Sequence, residues 1–237
     1  MAPLVALIIG AGKNIGDHTA AALKGKGYKI ALGSRNPDFE QVEKDGYFPV
    51  AVDAANTESV KAAFATVNKE LGPPNAVVFN AAARILPPVP EDPLTLSFED
   101  FKQQTDVGVN VYAAAQEAVK GFRSDNHKDT LKTFIVTGNP LPWVHADLPG
   151  PQLVGITVEK DIQWRLMEIL SGAYSKEARC VIYFVSLVGK AGGVVDSIPD
   201  FFTSGPQHSQ VYSDLITRED RLDFEYRFTL DGKKFTK

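Results

Sequence analysis

The stretch Leu4-Val5-Ala6-Leu7-Ile8-Ile9-Gly10-Ala11-Gly12-Lys13-Asn14-Ile15-Gly16 decides the reading of this 237-residue chain. Six consecutive apolar residues end on a glycine with no polar face left over, which predicts a strand buried on both sides. Residues 15–23 then carry a helical pattern, so the glycines fall in a tight turn between strand and helix. Small residues there let the backbone approach a pyrophosphate, and the helix N-terminus supplies oriented N–H groups for it.

The rest of the chain repeats the same alternation. Residues 28–32 and 48–52 predict two short strands, the second closed by Asp53. Val60, Phe64, Val67 and Leu71 line one stripe of a helix that starts at Asn56/Thr57 and stops at Gly72-Pro73. Residues 76–79 predict the next buried strand. Pro87, Pro88, Pro90 and Pro93 make 86–97 a loop, and Ser97 with Asp100 caps a long helix to about Phe122.

A strand at 134–137 leads into a long irregular connection, 138–155, of the length that usually carries function. Ile162, Leu166, Ile169 and Ala173 are expected to line the buried face of the next helix, and 180–187 is a wholly apolar strand. After an irregular stretch, 189–206, residues 226–235 read as a hairpin turning at Asp231-Gly232. Strands that alternate with helices, joined by right-handed crossovers, predict an α/β fold: a Rossmann-type, doubly wound parallel sheet in one domain spanning 1–237.

Composition bounds the function. The net charge of −4 leaves no basic field for a phosphate backbone, so neither nucleic acid nor an anionic membrane is expected as a partner. No apolar run approaches a membrane span, and the short run 4–9 lacks the basic flank of a secretory leader, so a soluble, cytoplasmic protein is expected. Cys180 is the only cysteine, which excludes an intrachain disulfide and a cysteine-built metal site; no metal is expected. A small molecule is the expected ligand.

Gly10 and Gly16 in Gly-x-x-x-Asn-Ile-Gly resemble the glycine pattern of the short-chain dehydrogenase/reductase superfamily, with Asn14 in place of its middle glycine. Asn14 tolerates left-handed backbone and can bond locally, so the turn is expected to survive. Asp53-Ala54 after the third strand is similar to the family's adenine contact, and Asn80-Ala81-Ala82-Ala83 to its segment beside the fourth strand. The resemblance implies a nicotinamide dinucleotide held by Gly10, Lys13, Asn14, Ile15, Gly16, Ser34, Arg35, Asp53, Ala54, Asn80, Ala81, Ala82 and Lys160. The second strand ends in Ser34-Arg35-Asn36 with no acid for a ribose 2′-hydroxyl, while Arg35 and Lys13 can meet a 2′-phosphate, so the cofactor reads as NADP(H).

The catalytic pattern breaks. The family is similar in using a tyrosine four residues before a helical lysine, a strand serine and a helix asparagine. Lys160 and Asn110 fit the lysine and asparagine, but Ile156 stands at the tyrosine's place and Gly138 or Asn139 at the serine's. Positioned proton transfer contributes about 10²–10⁴-fold. Either another group, His145 or Asp147, supplies the proton, or the substrate is a preformed iminium that needs none. In the second case Asp147 would stabilise its charge and Trp143 would stack on it. Asn139-Pro140-Leu141-Pro142-Trp143 also resembles the loop of fungal iminium reductases that act as Diels–Alderases in indole-alkaloid biosynthesis, which makes Asn139 and Trp143 the candidate substrate contacts.

Trp164, Met167 and Tyr183 read as core. His208, Tyr212 and Arg218-Glu219-Asp220-Arg221 read as a solvated face or an oligomer edge. The sum is an NADP(H)-dependent reductase of a carbonyl or iminium, for which the family implies a homodimer or homotetramer. A cofactor-bound pericyclase and a non-catalytic dinucleotide-binding protein are the alternatives.

Overall fold

Val5, Ala6, Leu7, Ile8 and Ile9 of the first strand, β1 (Val5–Ile9), are completely buried, and their side chains part to opposite sides of one sheet. Val5, Leu7 and Ile9 join one apolar cluster while Ala6 and Ile8 join another, as the two-residue period of a strand requires. The computed structural model describes residues 3–144, 150–177 and 179–236, apart from the side chain of residue 198. It contains one seven-stranded sheet with all neighbouring strands parallel, in the order β3-β2-β1-β4-β5-β6-β7. The other strands are β2 (Lys29–Ser34), β3 (Phe48–Ala51), β4 (Ala76–Phe79), β5 (Lys132–Thr137), β6 (Cys180–Leu187) and β7 (Glu225–Phe228).

Because β1 pairs with both β2 and β4, the chain reverses its direction of winding between them. A crevice opens at the carboxyl ends of those strands, the usual ligand position in such sheets. On one face lie α3 (Thr57–Glu70), α4 (Phe98–Phe122) and α5 (Val154–Ala173); on the other lie α1 (Ile15–Gly25) and α7 (Gly205–Thr217). The caps follow the residues read from sequence. Asn56 accepts from Ser59 N at 3.0 Å and Ser97 from Asp100 N at 3.0 Å, contacts that contribute about 1 kcal/mol each. Two short helices, α2 (Phe39–Lys44) and α6 (Ile198–Phe202), complete the chain. No helix among the described residues is long and apolar enough to cross a membrane.

The hairpin expected over 226–235 turns back at Asp231-Gly232, with Phe228 bridged antiparallel to Lys234, and its first arm is also β7, parallel to β6. Two expectations are corrected. The buried face of α5 is Gly155, Glu159, Lys160, Gln163 and Met167; of the stripe Ile162-Leu166-Ile169-Ala173, Leu166 packs on the core at part burial while Ile169 is 58% exposed. His208 and Tyr212 are not solvated: both lie fully buried on the inner face of α7.

The His208 ring meets Phe228 edge-on at 4.9 Å and Tyr212 at 5.6 Å, and its Nδ1 lies 2.9 Å from Ser204 O. Burial lowers its pKa to about 4. A depressed folded-state value means that the unfolded chain binds the proton first, so stability is complete above pH 6.5 and falls as the pH drops toward 4. Urea titrations at pH 7.5 and 4.5 should show a loss of about 2–3 kcal/mol that disappears from the difference when His208→Gln is compared with the parent.

Candidate functional site

Gly10 closes β1 at φ +87°, and a Cβ on it would stand 2.5 Å from Ala81 N and 2.7 Å from Ala81 Cα. The turn therefore packs backbone to backbone on the chain leaving β4, a contact open only to glycine. Asn80 fastens the two together: its Nδ2 donates to Gly10 O at 2.8 Å and its backbone N to Ile9 O at 2.7 Å. A Cβ on Gly16 would stand 2.7 Å from Ala11 Cα, whereas one on Gly12 would meet open space. The amides of Gly10 and Ala11 both donate to Gly33 O. Those of residues 13–16 have no protein acceptor among the described residues, which leaves the start of α1 free to hold an anion.

Asn14 does not adopt the left-handed backbone anticipated for it: its φ is −81°. Nor is its bonding only local. Its Oδ1 accepts from Gly205 N at 2.6 Å and its Nδ2 donates to Phe201 O at 3.3 Å, tying the glycine turn to the corner between α6 and α7. A Cβ on Gly205 would collide with Asn14 O, so that approach also needs a glycine.

Beside the turn lies a cavity of about 400 Å³ walled by the ends of β1, β2, β3 and β4 and by α4. Gly10, Ser34, Arg35, Asp53, Ala54, Asn80, Ala81 and Ala82 all line it. Lys13, Asn14, Ile15, Gly16 and Lys160 do not. Asp53 is held at the rim of β3 by its Oδ1, which accepts from Ala55 N at 3.0 Å. The lining also includes Gly12 and Ala83 of the quoted motifs, and Arg84, Ile85, Gln103 and Val107, which the sequence reading passed over. The signal available for Arg84 was its place directly after Asn80-Ala81-Ala82-Ala83.

Beyond β4 the structure replaces an open site with a buried polar cluster. Lys160 is 4% exposed, and its Nζ reaches Thr137 O at 3.0 Å, Gln163 Oε1 at 2.8 Å and Glu159 Oε1 at 3.2 Å. The first two are hydrogen bonds and the third is an ion pair. Glu159 is completely buried; it also accepts from Gln163 Nε2 at 3.2 Å, and its Oε2 accepts from Ala83 N at 3.0 Å. Gln104 of α4 clamps Ile85 through both backbone groups, accepting from N at 3.1 Å and donating to O at 3.2 Å. Gly108 and Gly155 make room: a Cβ on the first would stand 2.9 Å from Glu159 O, and one on the second would overlap the Gln104 amide.

The other predicted catalytic and substrate residues are similarly engaged. Asn110 donates to Ala54 O at 3.0 Å and accepts from Thr57 Oγ1 at 2.7 Å, so its carboxamide ties α4 to the connection after β3. Neither end of it bonds Lys160. Trp143 donates to Gly192 O at 3.1 Å, and its ring is covered by the Arg227 guanidinium at 3.8 Å and the edge of Phe184 at 6.5 Å. The face expected to stack on substrate is thus occupied. Asn139 turns inward to accept from Leu141 N at 3.0 Å. A Cβ on Gly138 would collide with Phe184 and Ser186, so this position excludes a serine. Tyr212 approaches the same strand end from the opposite face, donating to Thr137 Oγ1 at 2.8 Å, and burial raises its phenol far above the ordinary value. His145 and Asp147 lie outside the described residues.

Known proteins share this architecture. Residues 4–107, which span β1–β4 and the start of α4, match the family model described as short chain dehydrogenase. The short chain dehydrogenase/reductase dmxR12 of Cryptosporiopsis sp. (strain 8999) is 30% identical over 155 residues, covering 61% of this chain and 62% of the relative. L-xylulose reductase of Mus musculus is 38% identical over 109 residues, covering 45% and 40%. The chain thus spans less than two thirds of the length of these curated relatives. Among solved structures, a metagenomic short-chain oxidoreductase in complex with NADP superposes with a TM-score of 0.76 at 15% identity, covering 97% of this chain and 98% of that one. A 3-ketoacyl-(acyl-carrier-protein) reductase from Brucella melitensis complexed with NADH gives 0.72 at 18% identity, covering 98% of each chain. The fold is the Rossmann-like fold of these reductases.

The cluster around Lys160 has a measurable signature. Removing one member of a buried ion pair strands the other charge, at a cost of about 3–5 kcal/mol, whereas a solvated lysine costs almost nothing. Lys160→Ala should therefore lower stability by that amount in urea titration. The neutral pair Glu159→Gln with Lys160→Met should recover most of it.

Proposed function

We propose that this chain is an NADP(H)-dependent oxidoreductase of the short-chain dehydrogenase type that reduces a carbonyl or iminium group of a small molecule. The observation that carries the reading is the cavity at the ends of β1 to β4: Arg35 stands in it at the end of β2, and the unpaired amides of residues 13–16 lie beside it. These groups fit the adenosine phosphate half of NADP(H), since a 2′-phosphate meets a cation where an NAD site presents an acid. Gly10, Asn80, Asp53 and Ala54 shape the wall around the adenosine. When bound, the cofactor supplies a hydride.

On this reading the protein's own contribution is positioning. Lys160 is buried against Thr137, Gln163 and Glu159, and the Ile156 side chain has no proton to give a carbonyl, which favours a substrate that arrives already cationic. Asp147 is the proposed anion beside it and His145 the proposed proton carrier if a carbonyl is reduced. The same engagement of Lys160 inside the protein favours the second reading, a dinucleotide-binding protein without turnover. Val109 and Tyr112 on α4 and Ile169 on α5 expose about half of their apolar surface, and on them we place the contact of a homodimer or homotetramer. The cytoplasm, with its reduced nicotinamide pool, is the proposed compartment.

Calorimetric titration with NADPH and NADH tests the cofactor. Arg35→Asp should weaken NADPH by about 10- to 100-fold and leave NADH nearly unchanged, because one charge-assisted contact is worth about 1.5–3 kcal/mol. Equal losses for both would remove the assignment. Loss of NADPH absorbance with any member of a carbonyl and cyclic-iminium panel selects the reductase, and binding without turnover selects the second reading.

A further inference from the structure

We infer that Arg84 is the second cation for the cofactor's 2′-phosphate and adds to the preference for NADP(H) that Arg35 sets, a role that rests on the dinucleotide reading above. Two guanidinium groups line the cavity, Arg35 at the end of β2 and Arg84 on the chain leaving β4. A 2′-phosphate carries about −1.5 to −2 charges, more than the single charge of Arg35 neutralises, and Arg84 is the further cation that the cavity offers. Lys13, the expected partner of Arg35, stands outside the lining.

The backbone holds Arg84 in place from both sides. Ala83 N is fixed by the buried Glu159 carboxylate at 3.0 Å, and Ile85 by the two bonds from Gln104. Between these anchors Arg84 is exposed, and neither it nor Arg35 forms an ion pair or side-chain hydrogen bond among the described residues. The pyrophosphate has its own donors in the amides of residues 13–16, which leaves the guanidinium for the third phosphate. The polar cluster around Glu159 thereby acts at a distance on cofactor choice, as a positioning device for Arg84.

The test titrates NADPH, NADH, adenosine 2′,5′-bisphosphate and AMP into the parent protein and into Arg84→Gln, Arg84→Lys and Lys13→Gln. Arg84→Gln should lose about 10- to 100-fold in affinity for NADPH and for the bisphosphate. NADH and AMP should change less than about threefold, Arg84→Lys should retain part of the affinity, and the salt dependence of NADPH binding should flatten. Lys13→Gln should change little. Equal losses for NADPH and NADH would assign Arg84 to the pyrophosphate and overturn the inference, as would an Arg84→Gln that binds like the parent. A parent protein that binds neither coenzyme would instead overturn the dinucleotide reading itself, and this assignment with it.

Discussion

The contact between the Gly10 turn and the chain leaving β4 is the constraint on which the site depends. At that point two backbones touch with no side chain between them, and Asn80 bonds one to the other. The contact is possible because β1 and β4 are neighbours in the sheet, which in turn follows from a β1 too apolar to lie anywhere but at its centre. A cavity then has to open beside the turn, since the chain winds away in both directions from these two strands. Its walls are the strand ends themselves, so the residues that face a ligand are fixed by register more than by loop conformation.

The second organising feature is electrostatic. A lysine and a glutamate buried together on α5 bring desolvation costs of several kcal/mol each, and such a pair persists only when every lone pair and proton is matched. Here Thr137, Gln163 and Ala83 complete the matching, and Gly108 and Gly155 supply the space for it. The cluster joins the end of β5 to α5 and to the loop after β4. Lys160, which the family resemblance assigns to cofactor contact, is enclosed in this cluster.

The asymmetry between the two halves of the site follows. On the side of β1 to β4, unpaired amides and guanidinium groups lie at an open volume. On the side of β5 and β6, polar groups are paired with one another, and the Trp143 ring is enclosed by Arg227 and Phe184. The match to the short chain dehydrogenase family model, residues 4–107, falls on the first of these sides.

The sequence by itself determined the sheet, the strand-turn-helix opening and eight of the residues that line the cavity, because periodicity and glycine placement act over short spans and are visible in order along the chain. Only the tertiary structure decided what the remaining polar residues do. Asn14 meets Gly205, Asn110 meets Ala54, and Trp143 meets Gly192, pairs formed by segments far apart in the chain that no local pattern announces. The same holds for the polar face of α5, which no apolar stripe announces. A helix buries whichever face its neighbours can satisfy, and here the neighbours offered the Thr137 carbonyl and the Ala83 amide.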